Sequence, residues 1–303
     1  MKTIGGYFDL EIAQGNGHFH QNIYKTNSAT NAFLLLARLK KIKSIFLPKY
    51  NCSHFVAKLL KNNIEIIFYD IDDNFEPLID LENKFSVYIN YFGIKNDFVS
   101  KIKNQNVIID NAQSFFMKPV NSLDTFYSPR KFFGIPDGGY LYTENSFEIN
   151  LQVENDVKAL NHLVSRANNS VEEGYISFKE NELSLINKPL KKMSNISNKI
   201  LSSIDYDEIE NKRMNNFNYL HKSFKSINKI KISRNISPIS YPLMLEEKIS
   251  VNFRKKLLNN KIFIPKYWPD NNYKNLSDCI LPLPIDHRYN TNDMELIIKL
   301  LLK

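Results

Sequence analysis

A lysine held between two tight turns is the first residue of this sequence that could do covalent chemistry. Lys131 lies in the stretch Tyr127–Tyr140, which reads YSPRKFFGIPDGGY. A Ser-Pro-Arg turn precedes it and a Pro-Asp-Gly-Gly turn follows, so we expect it on a loop between strands rather than on a solvated helix face. Such a lysine can form a Schiff base if burial or a nearby cation favours its neutral amine. Taken alone, the stretch is more typical of a surface lysine.

Three further features fall at the ends of predicted strands or the starts of predicted helices, where open α/β sheets bind ligands. Residues 28–30, Ser-Ala-Thr, open a helix whose free amides can cradle a phosphate, although an ordinary N-cap is the simpler interpretation. Asp110 ends the apolar run VIID, where a carboxylate either meets a cationic ligand or caps the next turn. Residues 137–139, Asp-Gly-Gly, allow a close backbone approach.

The order of these features along the chain predicts a cofactor. They read as a phosphate cradle, a strand-end aspartate, a turn-held lysine and a diglycine. Pyridoxal phosphate needs a lysine for covalent attachment, an acid opposite its pyridinium nitrogen and a helix N-terminus for its phosphate. The four features together therefore predict a pyridoxal phosphate site, although each is weak alone.

The composition suits one large or two modest globular domains in 303 residues, of which 43% are hydrophobic. A net charge of +8 is compatible with nucleic acid or a phosphorylated ligand, but the lysines are dispersed through Asn/Lys/Ile-rich text, so we expect no nucleic-acid partner. The sequence has no apolar run of membrane-spanning length, and Cys52 and Cys279 lie far apart, which indicates neither a disulfide framework nor a zinc site. A cytoplasmic protein without a membrane partner fits these observations best.

Strand-like and helix-like segments alternate through residues 1–190, which predicts a large α/β domain with a mostly parallel sheet flanked by helices. The predicted strands are Ser44–Pro48, Glu65–Tyr69, Ser86–Tyr91, Val107–Asp110 and Gly139–Thr143. The predicted helices are 27–41, Ser53–Lys61, 94–106 and Glu148–Arg166. Asn168–Leu190 is polar and is predicted to be an irregular crossing or lid region.

Residues 191–303 are predicted to form a small C-terminal α+β domain. Ser194–Phe224 is helical in pattern and carries a buried apolar stripe, with Arg213 expected on the solvated side. The other predicted elements are strands at Ile230–Ile232, Ser240–Leu245, Ile262–Pro265 and Cys279–Leu283, and helices at Val251–Asn259 and Glu295–Leu302. The aromatic turn at residues 267–269 either packs in a core or interface, which we favour, or lines the mouth of a site.

The chain resembles the DegT/DnrJ/StrS family of pyridoxal-phosphate nucleotide-sugar aminotransferases, of the fold-type I class. Motifs along nearly the whole length carry this resemblance. They are IGGYFDLE, NSATNAFLLL, LPKYNC, FYDID, INYFG, VIIDNAQS, SPRKFFGIPDGGYL and the closing LPLPIDHRYNTNDM. The last is the most specific, because the small domain of such enzymes often ends in similar text before its terminal helix.

The resemblance implies a role for each matching residue. Lys131 would carry the cofactor and shuttle the proton, Asp110 would pair with the pyridinium nitrogen, and Gln113 would lie near the phenolic oxygen. The phosphate would be held by Ser28, Ala29, Thr30 and Ser128.

The chain also departs from the family pattern at several positions. Cys52 aligns with the aromatic residue that usually stacks on the cofactor ring, so Cys52, Tyr50 and His54 all remain candidates for that contact. Ser128 stands three residues before the lysine rather than the commoner five. The asparagine that family members lend to the partner subunit's phosphate has no clear match near residues 174–175.

The resemblance implies a homodimeric, cytoplasmic aminotransferase. It would transfer an amino group, with glutamate as donor, to a keto group of a nucleotide-linked deoxysugar for surface polysaccharide or related glycan biosynthesis. A pyridoxal-phosphate sugar dehydratase of the same fold is an alternative, but that subclass replaces the lysine by histidine, and Lys131 argues against it. A catalytically degenerate binding relative is the other alternative.

Overall fold

The computed structural model describes residues 4–168, 171–233, 236–269, 273 and 275–302, except for the side chain of Val171. The strands within these residues are β1 (Ile23–Thr26), β2 (Ser44–Pro48), β3 (Glu65–Tyr69), β4 (Ser86–Ile89), β5 (Val107–Asp110), β6 (Thr125–Tyr127), β7 (Gly139–Tyr142), β8 (Tyr241–Met244) and β9 (Ile280–Leu283). The helices are α1 (Ala29–Leu39), α2 (Ser53–Lys61), α3 (Asn96–Val99), α4 (Asn161–Ala167), α5 (Val171–Asn187), α6 (Asn195–Ser202), α7 (Tyr206–Phe224), α8 (Glu247–Asn259), α9 (Leu276–Cys279) and α10 (Thr291–Leu302).

The first seven strands form one sheet in the order β1-β7-β6-β5-β4-β2-β3. Pairing is parallel from β3 through β6, whereas β7 is antiparallel to both β6 and β1. It follows that β1 runs parallel to β6, and that the carboxyl ends of β1, β2, β4, β5 and β6 share one edge of the sheet with the start of β7. The predicted α/β fold with a mostly parallel sheet is confirmed.

The central strands consist largely of apolar residues, and none of the residues of β2 or β5 is exposed to solvent. Ile45 and Leu47 in β2 and Ile108 and Ile109 in β5 are fully buried, as expected of a parallel sheet covered on both sides. On one side, Phe33 of α1 packs edge-on against other aromatic rings of the core. Ser28 caps this helix by accepting the amide hydrogen of Asn31 at 3.1 Å.

A second, antiparallel pair of strands, β8 and β9, is covered by helices from the C-terminal third of the chain. Its core includes the buried residues Phe217, Leu220, Leu243, Leu281 and Ile297. This arrangement is the α+β layer expected of the small domain. The division at residues 190/191 stays a prediction.

Several predicted elements differ from the structure. Asn168–Leu190 is not irregular within its described residues, because α5 occupies Val171–Asn187. The helix expected at Glu148–Arg166 begins only at Asn161, after a 3₁₀ turn at Val157–Leu160, and Val153 bridges to Lys192 instead. The helical pattern over residues 94–106 yields only the single turn of α3.

Two short strands predicted for the small domain are also wrong, because neither Ile230–Ile232 nor Ile262–Pro265 is a strand. The carbonyls of Ile264 and Pro265 accept hydrogen bonds from the Arg254 guanidinium, at 3.4 and 3.0 Å, rather than from a neighbouring strand. A side chain therefore replaces the sheet ladder as the hydrogen-bond partner of this segment.

Across the described residues, no helix combines the length and the apolar character needed to cross a bilayer. The same part of the chain contains no group of three or more metal-ligating side chains. His18 Nδ1 lies 2.6 Å from the Tyr140 hydroxyl, and His20 Nε2 lies 2.6 Å from the Phe115 carbonyl oxygen. Both histidines are therefore held by hydrogen bonds within an aromatic cluster.

His20 predicts an acid sensitivity of the fold. It is 3% exposed, and burial lowers its pKa to about 4 despite the Phe115 carbonyl, with Lys118 lowering it further. Because its folded-state pKa lies below the unfolded value, the unfolded chain takes up the proton first as the pH falls. Stability from neutral His20 is complete above about pH 6.5 and is lost towards pH 4, by about 3 kcal/mol.

The measurement is denaturant unfolding between pH 7 and pH 4 for the wild type and His20→Gln, which keeps an N–H donor for the carbonyl but does not titrate. We expect the wild type to lose about 3 kcal/mol more than the variant over this range. Equal losses in the two proteins would contradict this role for His20.

Candidate active site

The sheet topology brings the predicted site residues to one edge. Residues 28–30 follow β1, Asp110 ends β5, and the segment containing Ser128 and Lys131 follows β6. Gly139 begins β7, which runs in the opposite direction and therefore starts at the same edge. The side chains singled out from the sequence thus surround a single region, although they are separated by about a hundred positions along the chain.

The N-terminus of α1 meets the loop between β6 and β7 (residues 128–138, called the lysine loop) through a backbone contact. The amide of Gly138 donates to the carbonyl of Asn27 at 3.1 Å. A Cβ atom built on Gly139 would lie 2.2 Å from the carbonyl carbon and oxygen of Ser28, a distance that excludes any side chain. The backbone at the start of α1 also forms a parallel bridge between Ser28 and Gly138, so the first turn of the helix, whose amides have no intrahelical acceptor, lies directly beside the lysine loop.

Asp110 is the acidic group of the edge. Burial raises the pKa of its carboxyl, while the positive charge of Lys131 and a hydrogen bond from the amide of Ala112 (2.8 Å) lower it. Asp110 and Lys131 therefore lie close enough to interact electrostatically. A buried carboxylate with so few donors favours a cationic partner.

Gln113 is 2% exposed and only half satisfied. Its Oε1 accepts the amide hydrogen of Phe92 at 2.6 Å, whereas its Nε2 is buried without a hydrogen-bond partner among the described residues. Phe92 and Gly93 both adopt left-handed backbone conformations, with φ of 55° and 77°. This turn after β4 orients Gln113. In the sequence this turn is recognisable only as part of the motif INYFG.

The lysine loop runs between β6 and β7, as predicted. Ser128 is buried, and its hydroxyl does not cap the 3₁₀ turn at Pro129–Lys131, although its carbonyl accepts the amide hydrogen of Lys131 at 3.1 Å. The side chain of Lys131 is exposed. The Ser128 hydroxyl and the Lys131 amine are thus not engaged in holding the turn together.

Two side chains of α5 anchor the lysine loop. Arg130, beside the lysine, forms an ion pair with Glu182. Asn181 Nδ2 donates to the carbonyl of Pro136 at 3.0 Å, on the other side of the loop. Helix α5, which lies where the sequence predicted an irregular segment, therefore supports the loop that carries Lys131.

Asp137 anchors the same loop to α6. Its carboxylate is 1% exposed and accepts hydrogen bonds from the hydroxyls of Ser194 and Ser197 and from the Ser194 amide at 2.9 Å. Burial raises the pKa of this carboxyl, and the serine donors oppose that effect. The sequence pattern indicated only a turn here, because nothing in it relates Asp137 to serines about sixty residues later.

The three candidates for the ring-stacking position lie in different environments. Tyr50 is 1% exposed and is enclosed by other aromatic rings, stacked on Tyr91 at 5.7 Å and edge-on to Trp268 at 4.7 Å. His54 is exposed in the first turn of α2. Cys52 is half-buried immediately before that helix and makes no capping hydrogen bond. The Tyr50 ring is thus occupied by contacts with other aromatic rings. Trp268 packs against Tyr50 and Tyr91, which agrees with the packing role that we favoured for the aromatic turn at residues 267–269.

Arg213 corrects the expectation of a solvated residue, since it is 1% exposed within α7. Its Nη2 donates to the carbonyls of Pro238 and Ile239, both at 3.0 Å, and its guanidinium carbon lies 4.6 Å from the ring centre of Phe132. Burial lowers the pKa of Arg213 to about 10, so the group remains charged at neutral pH. A helical pattern alone does not reveal a buried cation.

The residues present fit pyridoxal phosphate. Gln113 Nε2 is a buried donor without an acceptor in the described structure, as a phenolic oxygen requires. Asp110 is a carboxylate placed for a cationic ring nitrogen, and α1 presents its N-terminal amides to a phosphate. The group would thus meet a complementary donor, acid and amide set at this edge.

Comparison with known proteins gives matches at the level of structure. No sequence-family model matches the chain, and a search of curated proteins gave no match. DesI, solved in the presence of its TDP-sugar product, aligns with a TM-score of 0.61 at 14% identity, over 92% of this chain and 79% of that one. NtdA from Bacillus subtilis, with bound cofactor PMP, aligns with a TM-score of 0.63 at 15% identity, over 93% and 73%.

A DegT/DnrJ/EryC1/StrS aminotransferase from Brucella abortus aligns with a TM-score of 0.57 at 13% identity, over 92% of this chain and 85% of that one. The chain therefore has the fold of this class of pyridoxal-phosphate-dependent aminotransferases. The fold implied by the sequence motifs is confirmed. The roles of individual residues stay predictions, because identities this low establish the fold alone.

The contact between Gly139 and Ser28 predicts a position-specific effect of alanine. In Gly139→Ala the new methyl group would overlap the Ser28 carbonyl, so we expect a loss of roughly 3 kcal/mol in the free energy of unfolding. Gly134→Ala in the same loop is the matched control. Its Cβ would lie 3.6 Å from the nearest atom, in ordinary contact with Leu163, and should change stability by less than about 0.5 kcal/mol. Equal effects of the two substitutions in denaturant unfolding would contradict the proposed close approach.

Proposed function

We propose that this protein is a pyridoxal-phosphate-dependent aminotransferase that acts on a nucleotide-linked keto-sugar. The observation that carries the proposal is Gln113 Nε2, which is buried without a hydrogen-bond partner among the described residues, at the sheet edge shared by Lys131, Asp110 and the N-terminus of α1. A buried donor without an acceptor costs free energy unless a ligand supplies one.

Lys131 has the two roles that need a mobile amine. Its Nζ would hold the cofactor covalently and, once displaced by an amino donor, would move a proton between a carbon of the substrate and a carbon of the cofactor. The exposure of its side chain is consistent with such movement, while Arg130 and Pro136 fix the loop beneath it. Pyridoxal phosphate, when bound, supplies an electron-accepting ring that the side chains of a protein lack.

The other residues would set the position and charge of the cofactor. Asp110 would keep a cation on the ring nitrogen, because its carboxylate has only one amide donor and the field of Lys131 to balance it. Gln113 would donate to the phenolic oxygen. The hydroxyls and amides of Ser28, Ala29, Thr30 and Ser128 would bind the phosphate, and Cys52 would face the ring.

Glutamate as amino donor and a nucleotide-linked deoxysugar as acceptor are the proposed substrates. DesI, which shares the fold, was solved with its TDP-sugar product. The net charge of +8 favours a substrate that carries a pyrophosphate. We propose a role in surface polysaccharide or related glycan biosynthesis in the cytoplasm, as the motif resemblance implies.

A catalytically degenerate relative is the second candidate, and Cys52 is the observation that favours it. A thiol at the position of the stacking aromatic offers less contact with a cofactor ring. The two candidates differ in turnover, because a degenerate relative would bind the cofactor without transferring an amino group.

The proposed function predicts a visible absorbance band for purified protein mixed with pyridoxal phosphate, and bleaching of that band by glutamate. Lys131→Ala should lose the band, whereas Lys222→Ala, which removes an exposed lysine of α7, should keep it. Absence of the band from the wild type would contradict the aminotransferase proposal. Amino transfer from glutamate to a panel of nucleotide-linked keto-sugars then separates the enzyme from the degenerate relative.

We further propose a homodimer. Large apolar side chains are exposed on α5, including Tyr175 (55%), Ile176 (66%) and Leu183 (58%), and Tyr7 and Phe8 near the start of the chain are almost fully exposed. Exposed apolar clusters of this kind mark interaction sites. The contacts of α5 with the lysine loop mean that a second copy docked there would support the candidate site directly.

The double variant Ile176→Lys/Leu183→Lys should be monomeric in sedimentation velocity at a concentration at which the wild type is dimeric, because two charges in a buried apolar interface are costly. Leu258→Lys is the matched control. It places a charge on a leucine of similar exposure (56%) in α8, and should remain dimeric. A wild-type monomer, or a double variant that stays dimeric, would contradict this interface.

A further inference from the structure

We infer that Arg213 is a positioning residue of the candidate site, which it supports from α7 at both Gln113 and the lysine loop. The inference rests on the proposed function in so far as these two elements hold the cofactor. Arg213 contacts neither element's functional group itself, so it acts through the backbone and through Phe132.

The first connection leads to Gln113. Arg213 Nη2 donates to two successive carbonyls, those of Pro238 and Ile239, both at 3.0 Å. The amide of Ile239 in turn donates to the carbonyls of Phe92 and Gln113, both at 3.2 Å. Because the Phe92 amide also donates to the Gln113 side chain at 2.6 Å, one guanidinium nitrogen fixes a chain of hydrogen bonds that ends at Gln113 Oε1.

The glycine of this junction explains how three chain segments can meet. A Cβ atom on Gly93 would lie 2.4 Å from the Gln113 carbonyl oxygen and 3.1 Å from the Cα of Pro238. With φ of 77°, Gly93 also occupies a conformation that other residues rarely adopt. The turn after β4, the segment after β5 and the segment before β8 therefore pack at a distance that allows no side chain between them.

The second connection leads to Lys131. The Arg213 guanidinium stacks over Phe132, 4.6 Å from the ring centre, and Phe132 follows the lysine directly. Phe132 is 4% exposed and also packs against Phe115 at 5.7 Å. The Arg213 guanidinium therefore holds Phe132, the residue after Lys131, in its packed position against Phe115.

The electrostatic environment gives the buried Arg213 cation little direct compensation from the protein. Among the described residues it forms no ion pair, and the Asp286 carboxylate, which attracts it, is bound by Arg288 at 2.7 and 3.0 Å. Its Nε and Nη1 are buried without partners in the described structure. Arg213→Met keeps the length of the side chain and removes this buried cation, but it also leaves the carbonyls of Pro238 and Ile239 without their donor. The fold of the variant is therefore checked first by circular dichroism.

The first experiment measures amide hydrogen exchange in the protein without cofactor. In Arg213→Met we expect the peptides that cover residues 90–93, 111–115 and 130–134 to exchange at least about fivefold faster than in the wild type, because local opening of these segments loses its restraint. Arg254→Met is the matched control. It removes another carbonyl-binding guanidinium, whose described hydrogen bonds go to Ile264, Pro265 and Ile280 and to none of these peptides, so their exchange should be unchanged.

The second experiment is a double-mutant cycle on the dissociation constant of pyridoxal phosphate, followed by its absorbance. Arg213→Met should weaken binding about tenfold in the wild-type background, and less than about twofold in Gln113→Leu and in Phe132→Leu backgrounds, because coupled residues are not additive. Arg254→Met should have no effect in any background. A structural role alone would give the same factor throughout.

The inference is overturned if the three peptides exchange at wild-type rates in Arg213→Met, or if the cycle is additive. If the wild type binds no pyridoxal phosphate, the proposed function fails, and hydrogen exchange alone then decides the role of Arg213. If Arg213→Met does not fold, Arg213→Lys is measured by the same criteria, since an ammonium cannot reproduce the planar stack on Phe132.

Discussion

The backbone contact of Gly139 with the Ser28 carbonyl is the constraint on which the candidate site depends. It seats the start of β7 against the first turn of α1, and the Thr26 hydroxyl reinforces it by donating to the carbonyls of Ser28 and Gly139, at 2.9 and 3.3 Å. The lysine loop enters β7 at this point. The phosphate cradle and the lysine are therefore held at a fixed separation by backbone atoms, which have no rotamers to lose.

Three charged side chains around the candidate site are satisfied in different ways, and the differences separate structural support from proposed chemistry. Asp137 is surrounded by serine donors, which makes it an anchor for the loop. Arg213 rests on two carbonyls and an aromatic ring, which makes it a clamp. Asp110 has one amide donor among the described residues and the field of Lys131, so its charge is less balanced by the protein than that of Asp137. A ligand cation would complete its environment, which favours Asp110 over Asp137 as the proposed acid of the site.

The sequence predicts those parts of the fold that have a strong local signal. Strands such as β2 and β5 were predicted because their residues are buried on both faces and read as continuous apolar runs. The strands β1 and β6 were missed, since their short segments IYKT and TFY contain polar residues and both strands gain their order from pairing with β7. Helix α5 was missed because its polar side binds the lysine loop while apolar residues face outward, an inversion that obscures the usual periodicity.

The residues of the candidate site also fall into two groups, those that a local sequence pattern predicts and those that it does not. Lys131, Asp110 and Ser28 were predicted because each stands next to an element boundary, whereas the role of Gln113 was implied by the family resemblance, and parallel topology brings those boundaries to one edge. The residues that hold them there come from α5, α6 and α7, all of which follow the large sheet in sequence. Their contacts are side chain to backbone or side chain to side chain over fifty to a hundred positions, and no local pattern encodes them. The position of the lysine loop therefore depends on contacts with helices that follow the large sheet, so the sheet alone does not specify a complete site.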